Sequence, residues 1–360
     1  MLRHLTFVFT LLIFASPMLR AQSHIPTFDP KQYICYQSLD SLLIDGKLDE
    51  ESWQSAAWTD AFIDIQGEHM AGPRFRTRAK MLWDDQYLYI AAYLDEPHVW
   101  GTITERDAVI FHDNDFEVFI DPDGDTHFYY EFEMNALNTI WDLMLTAPYR
   151  DDKNVVLNAW DIRGIKTGVH VDGSLNDPND TDQGWSVEIA MPWKVLLEKS
   201  ESRKIPADGE YWRINFSRVE WQIDITAEGY QKKINPDTGK PYPEDNWVWT
   251  SQEYINMHRP ETWGFLAFSD TEVGQGTESF TIPEAEYLKW ELRKVYYRQN
   301  DYFQAHHKYA DRLEDLNLEI PEGHTVEINA QPTYYVARLK TADASKTWLI
   351  NEKGKVWSIE

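Results

Sequence analysis

The chain has almost no cysteine and few basic residues for its number of acidic ones. Cys35 is the single cysteine among 360 residues, so no internal disulfide can form and the fold must be stabilised by its core. Lysine and arginine total 34 against 60 aspartates and glutamates, which gives a formal charge of −26. A surface this acidic repels nucleic acid and anionic membranes, because both are bound through Lys and Arg. We therefore expect no nucleic-acid partner.

Long apolar runs are also scarce, and the one that exists stands at the N-terminus. Arg3 precedes an apolar stretch from Leu5 to Ala15, and Ala21 is a small residue where cleavage is expected. This pattern predicts a secretory signal peptide over residues 1–21, because the apolar stretch is too short to span a membrane. A short N-terminal anchor is the alternative interpretation. We therefore expect an exported protein without a membrane span, located in the periplasm, at the cell surface or outside the cell.

Familiar catalytic motifs are absent as well. The sequence contains no Gly-x-Ser-x-Gly motif, no P-loop, no dinucleotide-binding fingerprint and no His-Glu-x-x-His zinc motif. This absence favours a binding protein over an enzyme. It does not exclude a glycosidase, whose machinery is two carboxylates at a short separation.

What the chain does have is a long series of short strand patterns. Alternating polar and apolar residues recur from Arg78 to Phe268, and most of these segments are bounded by Gly, Pro, Asp or Asn. The series predicts a mainly β fold, an antiparallel β-sandwich of jelly-roll type over residues 22–275. Apolar residues recur at helical spacing over residues 283–318, and this pattern predicts a long α-helix. A helix that is broken near Asn300-Asp301 is the alternative. Residues 325–360 predict a small β appendage of three strands.

The most informative segment is residues 113–135, in which two alternating strands meet at an Asp-Pro-Asp-Gly-Asp turn. A fold about Gly124 places Phe116 opposite Phe132 and turns these apolar side chains toward the core. The same register pairs Glu117 with Glu131, so the other face of the ribbon is acidic. Like charges directly opposite one another are destabilising. We therefore expect a cation, an arginine or a hydroxyl-rich ligand to compensate this face.

Three interpretations of the acidic face stay open at this point. Its carboxylates can accept hydrogen bonds from sugar hydroxyls. They can instead be a solvated face paired with Arg74, Arg76 or Arg78, or Glu117 can act as a glycosidase residue together with Glu131 or Glu133. Trp247 follows the polar loop 227–246 and is the candidate for stacking on a sugar, whereas Trp249 and Trp263 are predicted to lie in the core.

Three further carboxylates occur within five residues at the turn. Asp121, Asp123 and Asp125 offer hard oxygen ligands of the kind that calcium prefers, although their spacing is not that of an EF-hand. The alternative is that Pro122, Asp123 and Gly124 simply form the turn. A structural calcium ion at these aspartates is therefore an expectation.

Five segments together resemble the family 9 carbohydrate-binding modules, within the larger DOMON-like group of β-sandwiches. They cover about residues 40–270 and are Ile44–Glu50 with Trp53, Leu82–Tyr89, Asp115–Asn135, Gly184–Trp193 and Thr262–Gly264. The resemblance implies an antiparallel β-sandwich that binds sugars of plant polysaccharides, often with structural calcium.

The resemblance also implies positions for the ligand contacts. Glu117 and Asn135 match the Glu and Asn of the family pattern, Glu133 stands where the pattern has Arg, and Phe111 stands where it has the first of two Trp. The second Trp has no single counterpart, and Trp247, Trp249 and Met257 lie nearby.

The sequence therefore predicts a secreted, non-catalytic carbohydrate-binding protein that recognises plant-type oligo- or polysaccharides. The alternative is a glycoside hydrolase that acts on O-glycosyl bonds in carbohydrate catabolism. A third interpretation, a haem-binding sandwich, needs an axial ligand such as Met134 or His112. Residues 284–318 are predicted to dock either on the sandwich or on a protein partner.

Overall fold

The computed structural model describes residues 22–226, 229–341 and 346–359. The signal peptide predicted over residues 1–21 lies outside these ranges. Across the described part of the chain, no helix combines the length and the apolar character that a membrane crossing requires.

In the part of the chain that the structure describes, fifteen strands precede the C-terminal helix. Two short helices, α1 (Glu51–Ser55) and α2 (Trp193–Leu196), interrupt the series. The strands are β1 (Gln32–Gln37), β2 (Ile63–Asp64), β3 (Thr77–Trp83), β4 (Tyr87–Asp95), β5 (Asp115–Asp121), β6 (Tyr129–Asn135), β7 (Ile140–Leu145), β8 (Val156–Leu157), β9 (Lys166–Asp172), β10 (Gly184–Pro192), β11 (Tyr211–Glu220), β12 (Ile223–Thr226), β13 (Gly229–Lys232), β14 (Asp245–Val248) and β15 (Gly264–Glu272).

Most of these strands form one continuous sheet that closes around a core. Its order is β8-β7-β6-β5-β11-β15-β1-β3-β4-β10-β9, and β14 joins β11 to β2 at the side. Met81 and Ile189, from β3 and β10, share one buried apolar cluster with Phe116 and Phe132, from β5 and β6. Strands from the two halves of the order therefore face each other across the core, which is the packing of a β-sandwich. The predicted mainly β sandwich is confirmed.

Strand β1 departs from the predicted antiparallel arrangement. It pairs in parallel with β15 on one side and with β3 on the other. Parallel neighbours cannot be joined by a hairpin and need a long connection. Residues 38–76 supply that connection to β3, and most of the chain separates β1 from β15, so no tight turn dictates its direction.

The register predicted for the β5–β6 ribbon is wrong by two residues. The structure pairs Glu117 with Glu133 and Val118 with Phe132. The connection is wider than a turn centred on Gly124, because Thr126 and Phe128 adopt positive φ angles of 75° and 54° before the second strand begins. An even shift leaves each side chain on its original face. The predicted division into a core face and an acidic face is therefore confirmed.

The C-terminal helix exists but is shorter than predicted. Helix α3 spans Glu284–His306, runs unbroken through Asn300 and Asp301, and ends at His307, which has a left-handed φ of 56°. The Gln299 side chain holds the returning chain, since it donates to the Ala310 carbonyl at 2.8 Å and accepts the Ala310 amide at 2.9 Å.

A small antiparallel sheet follows, with four strands rather than the predicted three. They are β16 (Thr325–Ala330), β17 (Tyr335–Lys340), β18 (Thr347–Asn351) and β19 (Val356–Ile359). Leu292 and Val295 of α3 share a buried cluster with Ala337 and Ile350 of this sheet. The helix and the appendage therefore form one packed unit.

Helix α3 also docks on the sandwich, one of the two predicted alternatives. Arg213 of β11 donates to Glu286 at 2.9 Å, and Tyr211 donates to the same carboxylate at 3.0 Å. Farther along the helix, the Tyr297 hydroxyl donates to Glu261 at 2.5 Å.

Candidate functional site

The acidic face of the β5–β6 ribbon forms the floor of a cavity of about 350 Å³, which we call the acidic pocket. Strands β5, β6 and β7 build its floor, and the loops before β14 and before β15 close its sides. The lining side chains on which the site depends are Phe111, Glu117, Glu131, Glu133, Trp141, Tyr149 and Glu244.

Strand pairing explains why these groups meet. Glu117 lies directly opposite Glu133, and Glu133 lies directly opposite Trp141 on the next strand. Side chains at paired positions share a face and stand about 5 Å apart. The register thus places two carboxylates and an indole in a row across three strands, with Glu131 one step along the same face.

The carboxylates of the floor are buried close together. Glu117, Glu131 and Glu133 are 5%, 6% and 2% exposed. One oxygen from each of Asp115, Glu117 and Glu133 lies within 4.8 Å of the others. Asp115 is fully buried on the same strand face, two residues before Glu117, and its Oδ2 has no hydrogen-bond donor within the described chain.

This burial favours the protonated form of the acids. It raises the pKa of Glu117 to about 7, and Glu244 adds to the effect. The pKa values of Glu131 and Glu133 lie well above the usual range, first through burial and then through repulsion from Glu117. The floor therefore resists ionisation while no positive group is beside it.

The predicted arginine partners lie elsewhere. Arg74 pairs with Asp245, Arg76 pairs with Asp95 at 3.3 Å, and the Arg78 guanidinium lies 4.8 Å from the ring centroid of Trp58. The interpretation of the acidic face as a solvated surface bridged by these three arginines is therefore wrong.

Aromatic and apolar groups form the walls of the pocket. Phe111 and Trp141 are half-buried, Tyr149 is 49% exposed, and Ile255 at the rim is 71% exposed. The Trp141 Nε1 atom is buried and has no acceptor among the residues that the structure describes. A flat ring beside a carboxylate floor suits a molecule with one apolar face and several polar groups, as a pyranose has.

Of the predicted ligand contacts, Phe111, Glu117 and Glu133 line this pocket. Phe111 is held there because its backbone amide donates to Glu133 Oε2 at 3.1 Å. Whether the three residues contact a ligand stays a prediction.

Asn135 lies on the same face but serves the backbone. Its Nδ2 donates to the Ile103 carbonyl at 2.9 Å and to Asp113 at 3.0 Å, and its Oδ1 accepts the amides of Leu137 and Thr139. The side chain is fully buried and fixes the turn that leads into β7. The structure does not place it in the pocket wall.

Trp247 lies on the opposite face of its strand. It pairs with Arg218, whereas its neighbour Asn246 pairs with Val219 and lines the pocket. Trp247 is 2% exposed, and the guanidinium groups of Arg74 and Arg218 lie 5.3 and 5.2 Å from its ring centroid. The structure thus places Trp247 with Trp249 in the main core.

The predicted calcium ligands form a separate cluster at the β5–β6 connection. Asp121, Asp123 and Asp125 each offer an oxygen within 4.8 Å of the others. Asp121 already accepts the amides of Gly124 and Thr126, at 3.1 and 2.8 Å, and the Lys355 ammonium lies 2.8 Å from Asp125 Oδ2 in an ion pair. Carboxylate oxygens fit calcium, and Lys355 competes with a cation for one of them.

Three of the pocket residues named above were not singled out as ligand contacts from the sequence. Trp141 was within reach of the strand pattern, because it alternates with core residues on a predicted strand. Tyr149 and Glu244 lie on loops, where alternation gives no direction. The only signal for Glu244 was its position in the long polar loop 227–246.

Comparison with solved structures finds matches at low sequence identity. A family 9 carbohydrate-binding module from Caldicellulosiruptor kristjanssonii in complex with cellotriose is 16% identical, covers 69% of this chain and all of its own, and has a TM-score of 0.42. The complex of such a module from the same organism with glucose is 17% identical, covers 70% and 100% of the two chains, and scores 0.41. A putative carbohydrate-binding protein from Bacteroides uniformis is 14% identical, covers 67% and 100%, and scores 0.48.

Sequence comparison is decisive for the family. No curated protein shows a significant sequence match to the chain. The family model described as "Carbohydrate family 9 binding domain-like" matches residues 44–271, which is more than half of the chain and contains every residue of the acidic pocket named above. The chain therefore belongs to the carbohydrate family 9 binding domain-like family.

Proposed function

We propose that the protein is a non-catalytic carbohydrate-binding protein that holds a sugar in the acidic pocket. Family membership supports a carbohydrate-binding role. The observation that carries the proposal is the pocket itself, in which Glu117 and Glu133 form a polar floor and Trp141 and Tyr149 form aromatic walls. Carboxylates accept strong hydrogen bonds from hydroxyl groups, and aromatic faces cover the C–H face of a sugar ring.

The size of the cavity supports a short ligand or one end of a longer one. Its volume of about 350 Å³ is at the lower end of the range for small-molecule sites. We infer that one or two sugar units enter and that the rest of an oligosaccharide extends past the exposed side chains of Tyr149 and Ile255.

The direct test is isothermal titration calorimetry with glucose, cellotriose and xylotriose. The expected result is binding with one site per chain, weakened about tenfold or more in Trp141→Ala and kept in Trp58→Ala. Trp58 is a matched control, since it is also half-buried and lies outside the pocket. No heat with any of a broad panel of neutral and charged sugars would rule the proposal out.

Export, plant-type sugars and calcium are finer parts of this proposal. We infer export from the N-terminal pattern and plant-type glycans from the resemblance to family 9 modules. For calcium, the support is the three carboxylates of Asp121, Asp123 and Asp125. Thermal unfolding with calcium or EDTA tests this part: a calcium-dependent rise in Tm that Asp123→Asn removes is expected, and equal Tm values would reject it.

A glycoside hydrolase is the second candidate function. It is favoured by one observation, that Glu117, with its pKa raised to about 7, has an oxygen within 4.8 Å of one from Glu133. Retaining glycosidases place their two carboxyl groups about 5 Å apart and keep one of them protonated. Release of reducing sugar that Glu117→Gln abolishes would favour the enzyme, whereas binding without turnover favours the proposed function.

A protein partner at residues 284–318 remains a proposal. Tyr287 of α3 is 51% exposed and offers an apolar contact. A pull-down with the full chain tests this proposal. We expect the parent protein to retain a partner that the Tyr287→Ser variant does not retain.

A further inference from the structure

The floor of the acidic pocket is a cluster of buried carboxyl groups that no neighbouring positive side chain holds in the ionised form. The charged groups that raise the pKa of Glu133 are Glu117, Asp115 and Glu131, and the charged group that raises the pKa of Glu131 is Glu117. No lysine or arginine lines the pocket in the described ranges of the chain. Buried carboxylates are normally paired with a cation or a metal, so this floor is incomplete without a positive group.

The basic residues near the pocket are engaged elsewhere. Arg150, behind Tyr149, donates to Glu261 at 2.9 Å and lies 3.3 Å from Asp151. The Lys232 ammonium interacts electrostatically with Glu244. It lies 3.2 Å from the ring centroid of Trp221, however, and is not part of the pocket wall. Neither residue therefore places its charge in the pocket, which leaves this role to a ligand.

Histidine does not supply it either. His258 lines the pocket, but burial and Arg150 lower its pKa to about 3. Its Nδ1 lies 2.9 Å from the Tyr129 hydroxyl, and its ring packs edge-on to Tyr149 with centroids 4.5 Å apart. The imidazole is thus neutral at physiological pH and completes the aromatic wall.

The walls suit an organic cation better than a bare metal ion. Phe111, Trp141 and Tyr149 present aromatic surface to the same space as the carboxylates. An ammonium group gains from both, through a charge-assisted hydrogen bond to a carboxylate and through the negative face of an aromatic ring. Calcium would instead need six to eight oxygen ligands, and aromatic walls supply none.

We propose that the preferred ligand of the acidic pocket is a sugar with a free amino group, of the glucosamine class, whose ammonium group lies against Glu117 and Glu133. This inference rests on the proposed function, because it names the kind of sugar that the same pocket takes. Asp115, whose buried Oδ2 lacks a donor in the described chain, belongs to the same cluster of carboxyl groups as these two glutamates.

The test compares three sugars that differ only at C2. Glucose, N-acetylglucosamine and glucosamine, with their β-1,4-linked trimers, are titrated at pH 6.5 in EDTA. The ammonium group forms an ion pair with a desolvated carboxylate. We therefore expect glucosamine to bind at least tenfold more tightly than glucose or N-acetylglucosamine. Glu133→Gln should reduce this preference to threefold or less while the neutral sugars still bind.

A charge-matched control separates the pocket from the general negative charge of the protein. Glu327 lies on the exposed face of the C-terminal sheet. Glu327→Gln changes the net charge by the same amount as Glu133→Gln, so it should keep the full amine preference. Circular dichroism verifies folding, and Glu117→Gln replaces Glu133→Gln if the latter does not fold.

The outcomes distinguish this inference from the proposed function. Glucose and glucosamine binding with equal affinity overturns the inference and leaves the carbohydrate-binding role standing. Binding of no sugar overturns both. A further titration without EDTA tests for a metal site. If calcium gives the larger heat and abolishes the amine preference by competing for the same carboxylates, the pocket is a metal site and the inference is overturned as well.

Discussion

Glu117 shows how a binding group costs stability before its ligand arrives. Burial raises the pKa of its carboxyl to about 7, above the ordinary value of 4.5. The folded chain therefore holds a proton that the unfolded chain releases between these two pH values, so stability falls as pH rises through this window. Above pH 7 the ionised Glu117 faces Glu133 across the ribbon without compensation.

Removing that charge should stabilise the free protein. We expect Glu117→Gln to raise the free energy of unfolding by about 1–3 kcal/mol at pH 8 and to change it little at pH 5, since one pKa unit corresponds to about 1.4 kcal/mol. Urea unfolding at the two pH values measures the difference. A variant that is less stable than the parent at pH 8 would show that Glu117 is compensated by a group that the described structure does not contain.

The aromatic wall gives a second prediction at the residue scale. Trp141→Ala removes a ring beside Glu133 and should weaken sugar binding about tenfold or more, which corresponds to at least ~1.4 kcal/mol. Trp247→Phe should leave the affinity within about twofold, because Trp247 lies in the core on the opposite face of its strand. Calorimetry on both variants decides which tryptophan stacks; the reverse pattern would restore Trp247 as the sugar contact.

Single residues also show how far the sequence could be interpreted. Alternation was sufficient to place Glu117 and Glu133 together on one face, because period-two geometry survives a register error of two residues. It failed for Trp247, since a stretch entered from a loop has no fixed face until its pairing with β11 is known. Tyr149 and Glu244 could not be found, because loop side chains are oriented by tertiary contacts.

At the scale of elements, local pattern predicted α3 and the strands but not their ends. The helix stops at His307 because Gln299 binds the returning backbone at Ala310, a contact that no helical periodicity encodes. The parallel direction of β1 was equally hidden, because it depends on strands more than forty residues away.

The docking of α3 rests on a buried ion pair, and this gives a testable prediction. Glu286 is 1% exposed and binds Arg213, Tyr211 and Lys289, the last at 2.6 Å. Glu286→Gln leaves the Arg213 charge buried, which typically costs about 3–5 kcal/mol. We expect a matching loss in the free energy of unfolding, measured with urea, and faster proteolysis between the sandwich and the tail.

The control for this prediction is Glu284, an exposed neighbour in the same helical turn. Glu284→Gln should have little effect, and equal losses in both variants would contradict the docking role.

The whole molecule carries a formal charge of −26, and this excess has two consequences. It raises the local concentration of cations near the acidic pocket, which favours encounter with a positively charged ligand. It also destabilises the compact state through repulsion among surface carboxylates. The first effect weakens as salt is added, and the second is relieved by the same screening.

We therefore expect salt to act in opposite directions on stability and on ligand capture. Between about 0.01 M and about 1 M sodium chloride the screening length falls from about 30 Å to about 3 Å, so Tm should rise while the association rate of glucosamine falls. Near the isoelectric point of about 4.7 the net charge vanishes, and the rise in Tm should vanish with it. Differential scanning calorimetry at pH 4.7 and pH 8 measures the first effect and stopped-flow fluorescence the second. A Tm that falls with salt at pH 8 would mean that surface ion pairs such as Lys340–Glu327 outweigh the repulsion of the excess acidic charge.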